Sequence, residues 1–283
     1  MSIITRRAVC MAVVVTGVLM APHLLSAQTR PTVVSLGIER PESVLYVGNS
    51  FFYFNNGLQG HVNSLLTAAD PQQRMGSTLV AISGAGLDWH DLESYFRPNA
   101  IGTFSFDAQN RVVFNQREKV FDVAIVMDCS QCPIHPQLKT VFWEYAKKDS
   151  EIIRRNGAVP VFFMSWAYAD MPEMTAGLAE EYTKAGNENN ALVIPAGLAF
   201  ARSVKLRPDL QLYVSDKRHP SLMGTYLAAC TTYATLFGRS PVGLAYTTGI
   251  DPSVARFLQT TAWETVREYF GAEAPGPSPL TPR

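Results

Sequence analysis

Val44-Leu45-Tyr46-Val47-Gly48-Asn49-Ser50-Phe51 places a serine directly behind a short apolar run and a glycine turn. An apolar run of this length, rich in Val and Leu, reads as a buried strand. A serine on the tight turn that follows such a strand, before a helix, presents its hydroxyl at the carboxyl edge of a sheet, where α/β proteins place ligands. The position suits a nucleophile. An unassisted hydroxyl is a poor one, so a base within hydrogen-bond reach is required, and the base needs a third group to fix its ring and tautomer. Far downstream, Asp216-Lys217-Arg218-His219-Pro220 opens a helical pattern and offers both residue types.

Outward from the serine block, the sequence alternates between strand and helix. Further strands are expected at 78–82, 121–127, 159–164 and 191–194. Leu58, Val62, Leu65 and Leu66 recur at helical spacing. Other helices are expected at 136–155, where Asn156-Gly157 stops the pattern, and at 174–185, 197–204 and 253–270. Another is capped by Ser221 and runs to about Phe237 before Gly238. Strands separated by helices imply an α/β fold with a mainly parallel sheet covered on both faces. Residues 97–120, with short alternating runs around Gly102 and Asn110, read as a small hairpin inserted beside the site. No repeat or linker divides the body, so 28–272 is expected to be one domain and the proline-rich 273–283 a disordered tail.

In its two serine- and histidine-bearing blocks the chain resembles the SGNH, or GDSL-type, hydrolases. More narrowly it is similar to a secreted bacterial branch whose first block reads Gly-Asn-Ser-Phe and whose last reads Asp-x-x-His-Pro-Ser, here Asp216 to Ser221. The resemblance runs from about Val44 to Pro241 and is specific at its two ends. It implies a three-layer α/β/α, flavodoxin-like fold, with Ser50 as nucleophile, His219 as base and Asp216 as the residue that orients it. It also implies an oxyanion hole. The Ser50 amide would be one donor; the family's lone second-block glycine best matches Gly84, with Gly86 as its neighbouring rival. The family's block-three asparagine is absent. The equivalent stretch reads Asp128-Cys129-Ser130-Gln131, which makes Gln131, one methylene longer, the candidate donor and Ser130 the alternative. Asn49 is a second departure, standing where the family has an aspartate.

Composition fits an ordinary globular enzyme, with 47% apolar and 17% charged residues among 283. Formal charge is zero, and no dense Lys/Arg cluster marks the body, so the electrostatic footprint of a nucleic-acid binder is missing. The first 27 residues read as a secretory signal: Arg6-Arg7, then an apolar stretch from Ala8 to Met20, then Leu25-Ser26-Ala27 before a cut near Ala27. That stretch is shorter than the roughly twenty residues a membrane helix needs. Its removal leaves 22 of the 24 basic residues against 24 acidic ones, a net of about −2, for a periplasmic or secreted protein. Cys129, Cys132 and Cys230 then remain, an odd number. The C-x-x-C pair can be a local disulfide, two thiols or a redox site, and Cys230 falls on an apolar helix face.

The other histidines are distributed without short ligand spacing, so no zinc site is expected. His61 lies on the first long helix, His135 stands between prolines, and His90 is expected to be exposed on a helix. The run Phe51-Phe52-Tyr53-Phe54 cannot face wholly inward on one helix, so part of it is expected to line an acyl pocket or a sugar-stacking surface. The combined expectation is an exported serine ester hydrolase with no metal or organic cofactor, acting on a small ester or an acylated glycan. A non-catalytic glycan-binding module and an envelope glycan acyltransferase are the alternatives. Oligomeric state is not legible.

Overall fold

The apolar run ahead of Ser50 forms a buried strand, β1 (Ser43–Gly48), in the computed structural model, which describes residues 29–101, 104–114 and 119–271. After it come α1 (Ser50–Tyr53), α2 (Leu58–Ala69), β2 (Gly76–Ala81), α3 (Leu92–Tyr95), β3 (Phe104–Phe106), β4 (Val112–Phe114) and β5 (Val123–Val126). The second half holds α4 (Lys139–Arg155), β6 (Val159–Phe163), α5 (Met174–Glu188), β7 (Leu192–Ile194), α6 (Ala196–Leu206), α7 (Leu222–Phe237) and α8 (Pro252–Phe270).

Five strands make one parallel sheet in the order β2-β1-β5-β6-β7. Along β1 the side chains alternate between two cores. Val44 and Tyr46 pack with Phe52, Val62, Leu65 and Tyr226 on the face covered by α2, α6, α7 and α8. Leu45 and Val47 pack with Phe142, Ala146, Leu178 and Tyr182 on the face covered by α4 and α5. Burial on both faces is why the run is continuously apolar instead of alternating. The fold is therefore the expected three-layer α/β/α arrangement.

The strand order also locates a site. From β1 the chain moves outward to β2, then returns across β1 to β5, so the winding direction reverses beside β1. At such a switch point the loops leaving neighbouring strands diverge and open a crevice at the carboxyl edge. Ser50 follows β1 at that edge.

Most boundaries fall within a few residues of expectation. Ser221 caps α7 by accepting from the Gly224 amide at 3.3 Å, and Gly238 ends it in the left-handed region at φ 59°. Regular α4 starts three residues later than expected, at Lys139, after a turn in which the amides of Leu138 and Lys139 both reach the His135 carbonyl. His135 itself is extended, as a residue preceding proline tends to be. β3 and β4 form the expected antiparallel hairpin, pairing Phe104 with Phe114 and Phe106 with Val112, and these four side chains are exposed. The expected signal (1–27) and tail (273–283) lie outside the described residues, within which no helix is long and apolar enough to cross a membrane.

Candidate active site

Asn49 sets the serine in place. Its backbone is extended and its Oδ1 accepts from the Phe51 amide at 3.2 Å, capping α1. Its Nδ2 donates to the Ala85 carbonyl at 3.0 Å and the Asp128 carbonyl at 3.2 Å. One buried amide thus ties together the chain leaving β1, β2 and β5. An ionised aspartate could not do this, because it only accepts. The two carbonyls therefore call for a donor at this position, which Asn49 supplies and an ionised aspartate would not.

The histidine arrives on a short hairpin. Tyr213 and Pro220 form an antiparallel bridge, and the Val214 amide donates to the His219 carbonyl at 3.0 Å. At the tip Lys217 is left-handed, with φ 63°. Asp216 Oδ1 accepts from the amides of Arg218 (2.8 Å) and His219 (2.9 Å), while Oδ2 meets His219 Nδ1 at 2.5 Å. His219 Nε2 lies 2.7 Å from Ser50 Oγ. Desolvation acts to raise the Asp216 carboxyl, but the His219 bond and the two amides outweigh it and hold the group at about 2. Asp216 is accordingly a carboxylate throughout the neutral range, which fixes Nδ1 as the protonated nitrogen and leaves Nε2 to accept from the serine. Arg218 braces the loop from outside, paired with Asp170 and lying 4.0 Å over the Tyr168 ring.

The oxyanion candidates are placed unequally. The Ser50 amide stands in the first turn of α1, where a backbone N–H has no intrahelical acceptor. Gly84 sits at the exposed turn after β2 with φ 73°, and an added Cβ would meet nothing within 4 Å. Gly86 is different: an added Cβ would fall 2.7 Å from Asp88 Oδ1 and 2.8 Å from Asp128 Oδ1, so close packing demands glycine there. Gln131 is turned toward other partners. Its Nε2 lies 4.0 Å from the sulfurs of Met171 and of Met174, and its hydrogen bonds do not run to Ser50 or Gly84. Ser130 shares a 2.6 Å hydrogen bond with Tyr168.

Two residues carry more weight than their sequence context suggested. Asp128 is buried, and burial raises its carboxyl to about 6 against the pull of the Leu87 and Cys129 amides, which donate to Oδ1 at 2.9 and 2.8 Å. His90 departs from the expectation of an exposed helical residue: it is 6% exposed and caps a 3₁₀ turn. Its Nε2 contacts the Gly48 carbonyl at 3.0 Å, and burial lowers its affinity for a proton despite that carbonyl and Asp88. Its Nδ1 contacts the nearby Tyr95 hydroxyl at 3.3 Å, but the Gly48 carbonyl is 42 residues away in the chain, which no local pattern reveals.

Cys129 and Cys132 form a disulfide, and Cys230 is a buried thiol whose ionisation burial opposes. Among the described residues one set of possible metal ligands is close together, Asp128, Cys129 and Cys132, and the disulfide occupies both sulfurs. The aromatic run divides as its length requires: Phe51 and Phe52 enter the core, while Tyr53 and Phe54 face outward to different degrees. Trp166 is buried, Trp143 donates to Glu181 at 3.0 Å, and Trp89 is 60% exposed.

No family model matches the chain, and no curated protein matches it. Solved structures do. A DUF4886 family protein from Bacteroides uniformis is 19% identical, with a TM-score of 0.55 over 81% of this chain and 96% of that one. A putative SGNH hydrolase from Slackia heliotrinireducens is 21% identical, with a TM-score of 0.50 over 69% and 98%. A mutant of Axe2, an acetyl-xylooligosaccharide esterase from Geobacillus, is 15% identical, with a TM-score of 0.50 over 70% and 95%. At these identities the likeness is one of architecture. The parallel sheet, its switch point and these neighbours agree: the chain has an SGNH hydrolase-like fold.

Proposed function

We propose that the chain is an exported serine ester hydrolase working through an acyl-enzyme. The observation that carries this reading is the continuous hydrogen-bonded chain Ser50–His219–Asp216 at the carboxyl edge of the sheet. Ser50 Oγ attacks the ester carbonyl carbon as its proton passes to His219 Nε2, and Asp216 stabilises the imidazolium that forms. The C–O bond to the alcohol then breaks, and the imidazolium proton goes to the departing oxygen. Water repeats the sequence, releasing the acid and restoring Ser50. The amides of Ser50 and Gly84 are the proposed oxyanion donors. Gln131 joins them only by swinging its amide off the Met171 and Met174 sulfurs. Export rests on the reading of residues 1–27 as a cleaved signal.

A small ester or acylated glycan is the proposed substrate class. The hydroxyl of exposed Tyr53 lies 3.2 Å from Ser83 Oγ in the turn carrying Gly84, and exposed Trp89 follows five residues later in the chain. Exposed aromatics beside a polar site suit a sugar ring or an acyl group. The same aromatics favour a second reading, a glycan-binding module without turnover. Intact-mass analysis after fluorophosphonate treatment separates the two. One adduct on the wild type and none on Ser50→Ala supports the hydrolase; no adduct on a folded wild type, with glycan binding retained, supports the module. His219→Ala should lower ester turnover by about 10³-fold or more while leaving the fold intact.

A further inference from the structure

Asp216 orients His219, yet the two belong to one exposed loop, with side chains 43% and 27% exposed. Their mutual contact cannot place the imidazole against Ser50, which lies 169 residues away in the chain. Something must bind the serine segment to the histidine loop, and the turn after α1 makes those contacts. The Phe54 ring lies flat on the His219 imidazole, centroids 4.3 Å apart and planes 8° apart. Phe51 meets the same imidazole edge-on at 5.8 Å and stacks on Trp166, whose Nε1 donates to the Arg218 carbonyl at 3.0 Å. Asn55 Nδ2 donates to the Pro220 carbonyl at 3.0 Å and contacts Thr225 Oγ1 at 2.8 Å, gripping the histidine loop one residue beyond His219.

This turn is unusual in its backbone. Asn55 and Asn56 are both left-handed, with φ 54° and 68°, a conformation that asparagine tolerates better than most residues. It is also anchored from below: buried His61 contacts the Asn55 carbonyl through Nε2 and the Tyr246 hydroxyl through Nδ1, each at 2.8 Å. We propose that Phe54 and Asn55 are positioning residues that hold the His219 imidazole in line with Ser50, one by stacking on its ring and the other by fastening its loop. This rests on the hydrolase reading, but the geometry it concerns exists with or without turnover.

The test compares wild type with Phe54→Leu, Phe54→Tyr and Asn55→Gly, glycine being chosen because it keeps the left-handed backbone and removes only the amide. Turnover of p-nitrophenyl acetate, unfolding midpoints and the ring ¹⁵N signals of His219 are measured for each. Displacement of a catalytic group by an ångström or less is expected to lower kcat about 10- to 100-fold in Phe54→Leu and Asn55→Gly, with KM within about threefold. Phe54→Tyr should restore most of kcat. A kcat within about twofold of wild type in both damaging variants overturns the proposal, as does a loss carried by KM alone. If the wild type turns over no ester, the hydrolase reading fails separately, and the ring signals decide: a change at Nε2 in both damaging variants but not in Phe54→Tyr supports positioning, and unchanged signals overturn it.

Discussion

Replacing Asn49 by aspartate, the residue at this place in the SGNH hydrolases that its serine block resembles, should weaken this protein. Asn49 Nδ2 serves two buried carbonyls, those of Ala85 and Asp128, and an ionised carboxylate would leave both without a donor while turning negative charge toward them. A buried acceptor stripped of its partner costs about 1–3 kcal/mol, so the pair implies a loss of about 2–6 kcal/mol at pH 8. The penalty depends on pH in a definite direction. A carboxyl facing two carbonyl oxygens has a folded pKa above its unfolded value, so the folded variant keeps a proton that the unfolded chain gives up. Stability therefore falls as pH rises from the unfolded pKa through the folded one. At pH 5 the protonated acid donates to one carbonyl, which recovers part of the loss. Urea unfolding of wild type and Asn49→Asp at pH 5 and pH 8 measures both quantities. A variant within about 0.5 kcal/mol of wild type at pH 8 would refute the assignment of Asn49 as the tie between the three strand ends, since surface changes of no structural consequence fall in that range.

Asp149→Asn should flatten the alkaline side of the stability profile. Burial raises the Asp149 carboxyl to about 8, with Lys148 opposing and Asp128 adding to the shift, and its Oδ2 has no hydrogen-bond partner. Wild type should lose stability as pH climbs from about 4 to 8, and unfolding midpoints of the variant at pH 6 and 9 should differ less than those of wild type. Asp216→Asn keeps an oxygen for the Arg218 and His219 amides but loses the carboxylate on Nδ1; kcat should fall about 10²- to 10⁴-fold with the fold unchanged, as steady-state kinetics and circular dichroism can check. Cys129→Ser with Cys132→Ser opens a very short loop, so urea unfolding should register a loss of about 2 kcal/mol on loop-closure grounds.

The fold was legible because both sides of the sheet are covered: β1 and β5 had to be continuously apolar, and the helices between strands had to show one apolar face. The hydrophobic pattern located each strand of the parallel sheet and most helix starts to within a residue; the exception is α4, which begins three residues late, after the turn closed on the His135 carbonyl. Ser50, Asp216 and His219 were legible as a candidate set because their residue types stand at a strand end and before a helix start and because their two blocks resemble those of SGNH hydrolases; the structure brings the three within hydrogen-bond reach. What could not be read is whatever depends on a long-range neighbour. Buried His90 contacts a carbonyl 42 residues away, and the Gln131 amide lies beside the sulfurs of two methionines 40 and 43 residues away. Asn49 looked like a weakened aspartate until its two acceptors were in view. The left-handed backbone at Asn55 and Asn56 came to light only in the structure, and nothing near them in the sequence told what their turn would grasp.

The hairpin from Tyr213 to Pro220 bears on how this protein comes together in time. Because Asp216 and His219 sit three residues apart on a turn closed by its own bridge and amide bonds, the acid and the imidazole can find each other early, by local collapse. Ser50 cannot join them until the segment running from α1 through α2 has docked on α7, a step that closes a far longer stretch of chain. On the proposed hydrolase reading, ester turnover during refolding should thus emerge with that docking step and lag behind the appearance of helix, making the Ser50–His219 contact a built-in clock for a late long-range event of assembly.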